Sequence, residues 1–296
     1  MLKTSDYSFI AAVMSVALAL LCYVLSFSAV RVVRARAALA PAVVEGRGTA
    51  DVTTSRPGGL ASYGLLTSWL ALGFLTISLV LRAIVTGHAP FANMYEFTLA
   101  FAWGALACNA YFERRYHQRT ISVIALAVSL GLLMYALMIP AAADPLVPAL
   151  QNTLLLSIHV AVAVIAYGAF SVSFAAAGLF LVQSEKGRRG LPRPALLDEI
   201  AHRAAMVGFP FLTLVIVLGA VWAEISWGRY WSWDPKETAS LVTWLVYGAY
   251  LHARVVRGWR GRRAAWLLVL GFVATLFTFY GNLFFGGLHS YAAIGL

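Results

Sequence analysis

The sequence predicts an all-α protein, a polytopic helix bundle integral to a membrane. Three observations carry that expectation. Of the 296 residues, 61% are hydrophobic and only 11% charged, with a mean hydropathy of +0.80, whereas a soluble domain carries about 25% charged residues. Apolar runs close to the ~20 residues that cross a bilayer recur along the whole chain. The cations are also partitioned, because 18 of the 22 Lys and Arg fall in four alternate connections between those runs.

About eight spans are expected. The first, residues 8–30, is too long for the apolar core of a secretory signal and has no small-residue cleavage site. Spans at 63–86, 92–112 and 120–139 follow. The fifth, 153–182, is longer than a bilayer needs and should tilt or project. Spans at 205–225, 237–254 and 264–284 complete the set. Residues 31–62, rich in Ala, Gly, Pro, Thr and Arg, read as a flexible linker. They divide the chain into an N-terminal helix with its linker (1–62) and a main membrane domain (63–296). Within 184–204, Leu196, Leu197, Ile200 and Ala204 recur at helical spacing and suggest an amphipathic helix on the inner surface.

The basic connections hold Arg31, Arg34, Arg36, Arg47 and Arg56; Arg114, Arg115 and Arg119; Lys186, Arg188, Arg189, Arg193 and Arg203; and Arg254, Arg257, Arg260, Arg262 and Arg263. The positive-inside rule places them in the cytoplasm and both termini outside. The net charge of +10 is therefore a topology signal, and nucleic acid is not implied. The same rule turns the 226–236 loop outward. Cys22 and Cys108 each stand alone in a predicted span, and without a CxxC pair the chain does no dithiol chemistry.

That outward loop is the densest aromatic stretch. With Trp222, Trp227, Trp231 and Trp233, four of nine tryptophans fall within twelve residues. An aromatic belt scatters around a bundle; a cluster makes a platform for a flat apolar ligand such as haem. Of six histidines, His117 and His202 lie in Arg-rich segments and read as solvated. His88, before Ala89-Pro90, reads as a loop-ordering residue or a ligand. His159 lies about two turns into span five, beyond Gln151 and Asn152, and His289 follows the last span. The two can share one depth on one face and clamp haem iron between imidazoles. His252, near the other end of span seven, is an ionisable residue inside a span and thus a functional candidate. Its partner ligand is missing and would come from another subunit.

Asp234-Pro235-Lys236-Glu237 reads first as a helix start: Asp at N-cap, Pro at N1 and an acid at N3. No catalytic acid or base is identified. Arg82, Arg229 and Lys236 are the candidate partners for haem propionates. Glu96 and Glu237 are candidate loop supports, Glu96 being a cap, a partner for Arg82 or part of the site.

Trp227-Gly228, Trp231, Trp233 to Glu237, Trp244 and Tyr250-Leu251-His252 together resemble the tryptophan-rich "WWD" signature of haem-handling proteins of cytochrome c maturation. Pro90 to Glu96, Gln151 to His159 with Tyr167, and Asn282 to Ala292 add matches to the CcsA/ResC branch of system II. The resemblance covers roughly 60–296. It implies that His159 and His289 hold haem b on the outer face, beside Trp227, Trp231, Trp233 and Asp234. It implies that His252 is a transmembrane ligand shared with a CcsB/ResB partner. The implied function is haem transport across a bacterial plasma membrane and presentation for thioether attachment to the CxxCH motif of apocytochrome c. The resemblance implies a subunit of holocytochrome c synthase acting with that partner and with a thiol reductant protein. A haem exporter without ligase activity and a bis-histidine electron-transfer cytochrome are the competing classes.

Overall fold

The computed structural model describes residues 1–39, 59–142, 146–183 and 191–290. They form eight α-helices: α1 (Leu2–Leu39), α2 (Gly59–Thr86), α3 (Met94–Tyr116), α4 (Arg119–Ala136), α5 (Thr153–Val182), α6 (Pro194–Trp227), α7 (Pro235–Val256) and α8 (Arg262–Tyr280). Short 3-10 turns occur at Pro148–Leu150 and Gly281–Leu283, and no strand occurs among the described residues. The all-α bundle is as expected from hydropathy. Six helices, α1, α2, α4, α5, α6 and α8, are long and apolar enough to cross a membrane. α3 and α7 have 23 and 22 residues, but charged and polar residues dilute them.

Side-chain bonds show that all eight helices run between the same two faces. On one face, Ser5 of α1 donates to the Ser78 carbonyl of α2 (3.0 Å) and Phe9 meets Tyr95 of α3 edge-on (5.7 Å). There too, Trp222 of α6 donates to Ala149 just before α5 (2.9 Å), and Thr243 of α7 meets Thr278 of α8 (2.9 Å). On the other face, Arg254 of α7 forks onto Asp198 of α6 (2.8 and 2.7 Å), and Arg262 donates to Leu181 at the end of α5 (3.0 Å). Arg114, Arg115, Arg119 and Arg193 sit at helix ends on this second face. The first is called the histidine face below, the second the arginine face.

α3 is held at both ends by buried acids. Near its start, Glu96 accepts from Arg82 Nε (2.6 Å), and the other arm of Arg82 donates to the Ala141 and Ala142 carbonyls (2.8 and 2.7 Å). Near its end, Glu113 accepts from Tyr23 of α1 (2.7 Å) and Ser122 of α4 (2.6 Å). Between them, Gly104 of α3 and Gly168 of α5 lie backbone to backbone: a Cβ on Gly168 would collide with the Gly104 carbonyl. Small residues at such crossings let membrane helices pack closely. α1 joins the same core through Phe9, Val16 and Tyr23.

Three expectations need correction. The surface helix expected within 184–204 is instead the first part of α6, which starts at Pro194 and runs unbroken to Trp227. Leu197, Ile200 and Ala204 are fully buried in the core. The reason is steric: Ala201, Ala204 and Ala205 make a face flat enough to dock on α5, where Ser173 donates to the Ala201 carbonyl (2.9 Å). His202, expected to be solvated, is therefore drawn in to 3.1 Å from the Tyr250 hydroxyl. The expected 31–62 linker is helical at its ends, to Leu39 and from Gly59; its centre, 40–58, lies outside the described residues, as do 184–190.

Removing one partner of a buried ion pair costs about 3–5 kcal/mol. Arg82→Met and Glu96→Gln are each expected to lower the thermal midpoint of the detergent-solubilised protein, followed by circular dichroism. The double variant should recover part of the loss, and two unchanged midpoints would show that the pair holds nothing.

Candidate functional site

The site is built where α6 ends and α7 begins. Gly228 stops α6 in the left-handed conformation (φ 71°), its amide donating to Glu224 (2.9 Å). Trp233 also has a positive φ, 58°, an unfavourable state for a bulky residue. Glu237 holds it there. Its carboxylate accepts the Ser232 amide (2.8 Å) and the Asp234 amide (3.2 Å), one on either side of Trp233. The predicted capping box is therefore present, and it fixes the loop as well as starting the helix.

Asp234 does more than cap. One carboxylate oxygen accepts the Lys236 amide (2.9 Å) and faces His289 Nδ1 at 2.8 Å; the other accepts the Leu288 amide (2.6 Å). The segment after α8 is thus tied across to the start of α7. Gly287 is required for that approach, because a Cβ there would strike the Asp234 carboxylate. Burial pushes the Asp234 carboxyl up. The hydrogen bond and charge of His289, with the Lys236 and Leu288 amides, outweigh burial and bring it down to about 2. An ionised carboxylate only accepts, so Nδ1 of His289 carries the proton.

These elements rim an open cleft with a cavity volume of about 110 Å³, narrower than the ~300–1,000 Å³ of filled cofactor sites. His159 of α5 and His289 both line it, with Trp231, Lys236 and Glu237. The structure thus brings His159 and His289 into one cavity. His159 packs against Gly219 of α6, where a Cβ would stand 3.1 Å from its ring, and meets Trp222 edge-on (5.4 Å). Its Nδ1 is buried without a partner in hydrogen-bond geometry, although the Val215 carbonyl lies close enough to act on it. Lys236 Nζ lies 5.4 Å over the Phe97 ring, a cation resting on the apolar wall.

The other candidates are placed differently. Trp227 stands behind His289, edge-on at 5.1 Å, and Trp233 meets Trp231 at 5.8 Å while 68% exposed; neither lines the cleft. Arg229 is exposed. Arg82 and Glu96 are committed to each other, and Glu96 also accepts the Ala92 amide (2.8 Å), holding the 91–93 loop that forms one cleft wall. His88 contacts the Ala89 carbonyl (2.8 Å), outside the cleft lining. His252 is exposed on α7, on one stripe with Val242, Leu245 and Ala249, well away from the cleft. Sequence reasoning passed over Phe97, Gly219 and Tyr230, which line the cavity, and the Asp234–His289 bond. The separation of 55 positions between Asp234 and His289 leaves no local spacing signal for that bond.

Fold and cleft together define a membrane helix bundle with a two-histidine, tryptophan-rimmed site at one face. Residues 91–289 match the family described as Cytochrome C assembly protein. The cytochrome c biogenesis protein CcsA of Guillardia theta is 37% identical over 250 residues, covering 74% of this chain and 83% of the relative. That of Gloeobacter violaceus is 35% identical over 294 residues, covering 78% and 87%. A solved structure of the cytochrome c heme lyase CcmF is similar in fold, with a TM-score of 0.63 at 20% identity. The match covers 99% of this chain and 50% of that one, so the chain spans about half its length. The chain belongs to the cytochrome c assembly family, in its CcsA branch.

Gly286 has open space where a side chain would stand, whereas Gly287 faces the Asp234 carboxylate. Gly286→Ala is expected to leave the thermal midpoint almost unchanged. Gly287→Ala should lower stability by about 1–3 kcal/mol, as overpacking does. Equal midpoints for the two variants would contradict the close approach.

Proposed function

We propose that this chain carries haem across a bacterial plasma membrane and presents it for attachment to apocytochrome c. It acts as the CcsA/ResC-type subunit of a two-chain cytochrome c synthase of the system II kind. Membership of the CcsA branch supports cytochrome c biogenesis and haem handling. The observation that carries the finer reading is the meeting of His159 and His289 in one cleft, beside the WWD loop at 226–236. Haem is the cargo, and the donor set fits it: two imidazoles for the iron, an aromatic and aliphatic wall for the macrocycle, and one lining cation. That cation is Lys236, which supports a propionate partner there rather than at Arg82 or Arg229.

The chemistry belongs to cargo and substrate. Each substrate thiol of the CxxCH motif adds across a vinyl double bond of haem b: a carbon–sulfur bond forms and the thiol hydrogen ends on the other vinyl carbon. The chain binds and orients, so that the reacting atoms are held together. A thiol reductant protein keeps the substrate cysteines reduced. The clustering of arginines at the opposite face supports an extracytoplasmic histidine face. The exposed position of His252 on an apolar stripe supports a second haem ligand contributed by a CcsB/ResB-type partner.

The test is to purify the chain with its partner and record pyridine haemochrome spectra. Bound haem b is expected. The double variant His159→Ala/His289→Ala should lose the outer-face haem and cytochrome c assembly together, while His252→Ala lowers total haem without removing the protein from the membrane. Lys236→Met should weaken haem retention severalfold. Full haem and full assembly in the double variant and in His252→Ala would sink the reading.

A further inference from the structure

The two cleft histidines have aromatic neighbours of the same kind: Trp222 stands edge-on to His159 at 5.4 Å and Trp227 edge-on to His289 at 5.1 Å. Aromatic packing does not distinguish them. Their second partners do. His289 donates Nδ1–H to the Asp234 carboxylate at 2.8 Å, and that carboxylate is itself fixed by the Lys236 and Leu288 amides. Among the described residues His159 has no carboxylate on its Nδ1, which is buried without a partner in ideal hydrogen-bond geometry, and the group acting on that ring is the neutral Val215 carbonyl. A carboxylate behind a ligating imidazole fixes its tautomer and raises its donor strength.

We propose that the cleft histidines are unequal ligands: His289, anchored by Asp234, keeps the iron, and His159 is the one displaced by the histidine of the incoming substrate. This rests on the haem reading above. Asp234 is a positioning residue, acting on the iron through His289. The exchange breaks the bond from iron to His159 and forms one to the substrate imidazole. Each nitrogen keeps its lone pair, and no proton or electron is transferred. His159 is held at Gly219 by close packing, where a Cβ would stand 3.1 Å from its ring, and by no charged group. His289 is tied more firmly, because the adjoining Leu288 amide and its own ring are both bonded to Asp234.

The haem-loaded complex of the full chain with its partner provides the test, using His159→Ala, His289→Ala and Asp234→Asn. The readouts are haem per protein, binding of added imidazole and the iron midpoint potential, with thermal melts to confirm folding. His159→Ala is expected to retain most of its haem and to take one imidazole. His289→Ala should lose haem at least tenfold more readily. Asp234→Asn preserves an oxygen acceptor for the Lys236 amide but removes the negative charge; a tenfold to hundredfold weaker retention, as is usual for such partners (~10–100-fold), and a higher potential are expected. Equal losses in the two histidine variants, or an unchanged potential in a haem-loaded Asp234→Asn protein, would overturn the inequality. Haem retained in full by all three variants would instead overturn the haem site itself.

Discussion

The Asp234 carboxylate is the interaction on which the histidine face depends. It begins α7, grips the chain after α8 and orients one imidazole, and it does so from a nearly solvent-free position. An ionised carboxylate can accept several hydrogen bonds at once, which is why one short side chain can serve three elements. Pro235 beside it imposes the abrupt entry into the helix, and Glu237 secures the loop on the other side. The cleft is therefore shaped by acids that never need to touch a ligand. Aromatic residues supply its surface, but carboxylates supply its geometry.

Much of the fold was legible because a bilayer leaves the chain few options. Backbone polar groups must be satisfied internally there, so long apolar runs become helices, and alternating basic connections give their direction. The helix start at Asp234 was readable for a related reason: capping depends on residues three apart. That His159 and His289 could share a site was readable from depth, each lying near the same end of a span; that both line one cleft is a matter of packing.

What escaped the sequence depends on non-local packing. Nothing in Pro194 to Ala205 announces whether its apolar face meets lipid or another helix; the decision lies with the complementary small-residue face of α5. Arg82 was open to two readings, a propionate partner or a partner of Glu96, and the carbonyls at 141 and 142 that complete its shell carry no sequence signal. Trp233 looked like part of the platform, yet its left-handed backbone turns it outward to 68% exposure. Aromatic composition singled out the loop but could not say which ring faces inward. That choice is made by backbone conformation, which Glu237 enforces from five residues beyond Ser232.

The clamps on α3 have a mechanical meaning. A rod secured at its two ends by Glu96 and Glu113, and in the middle by the Gly104–Gly168 crossing, can neither tilt nor slide without breaking a buried charge or separating two backbones. α5, which carries His159, is bonded to that rod and shares its stiffness. The wall opposite is made from α6, α7 and the short strap between them, held by side-chain bonds such as Trp222 to the Ala149 carbonyl and Asp234 to the Leu288 amide. One wall of the cavity is thus braced backbone against backbone, and the other is braced by carboxylates that reach across from one segment to the next.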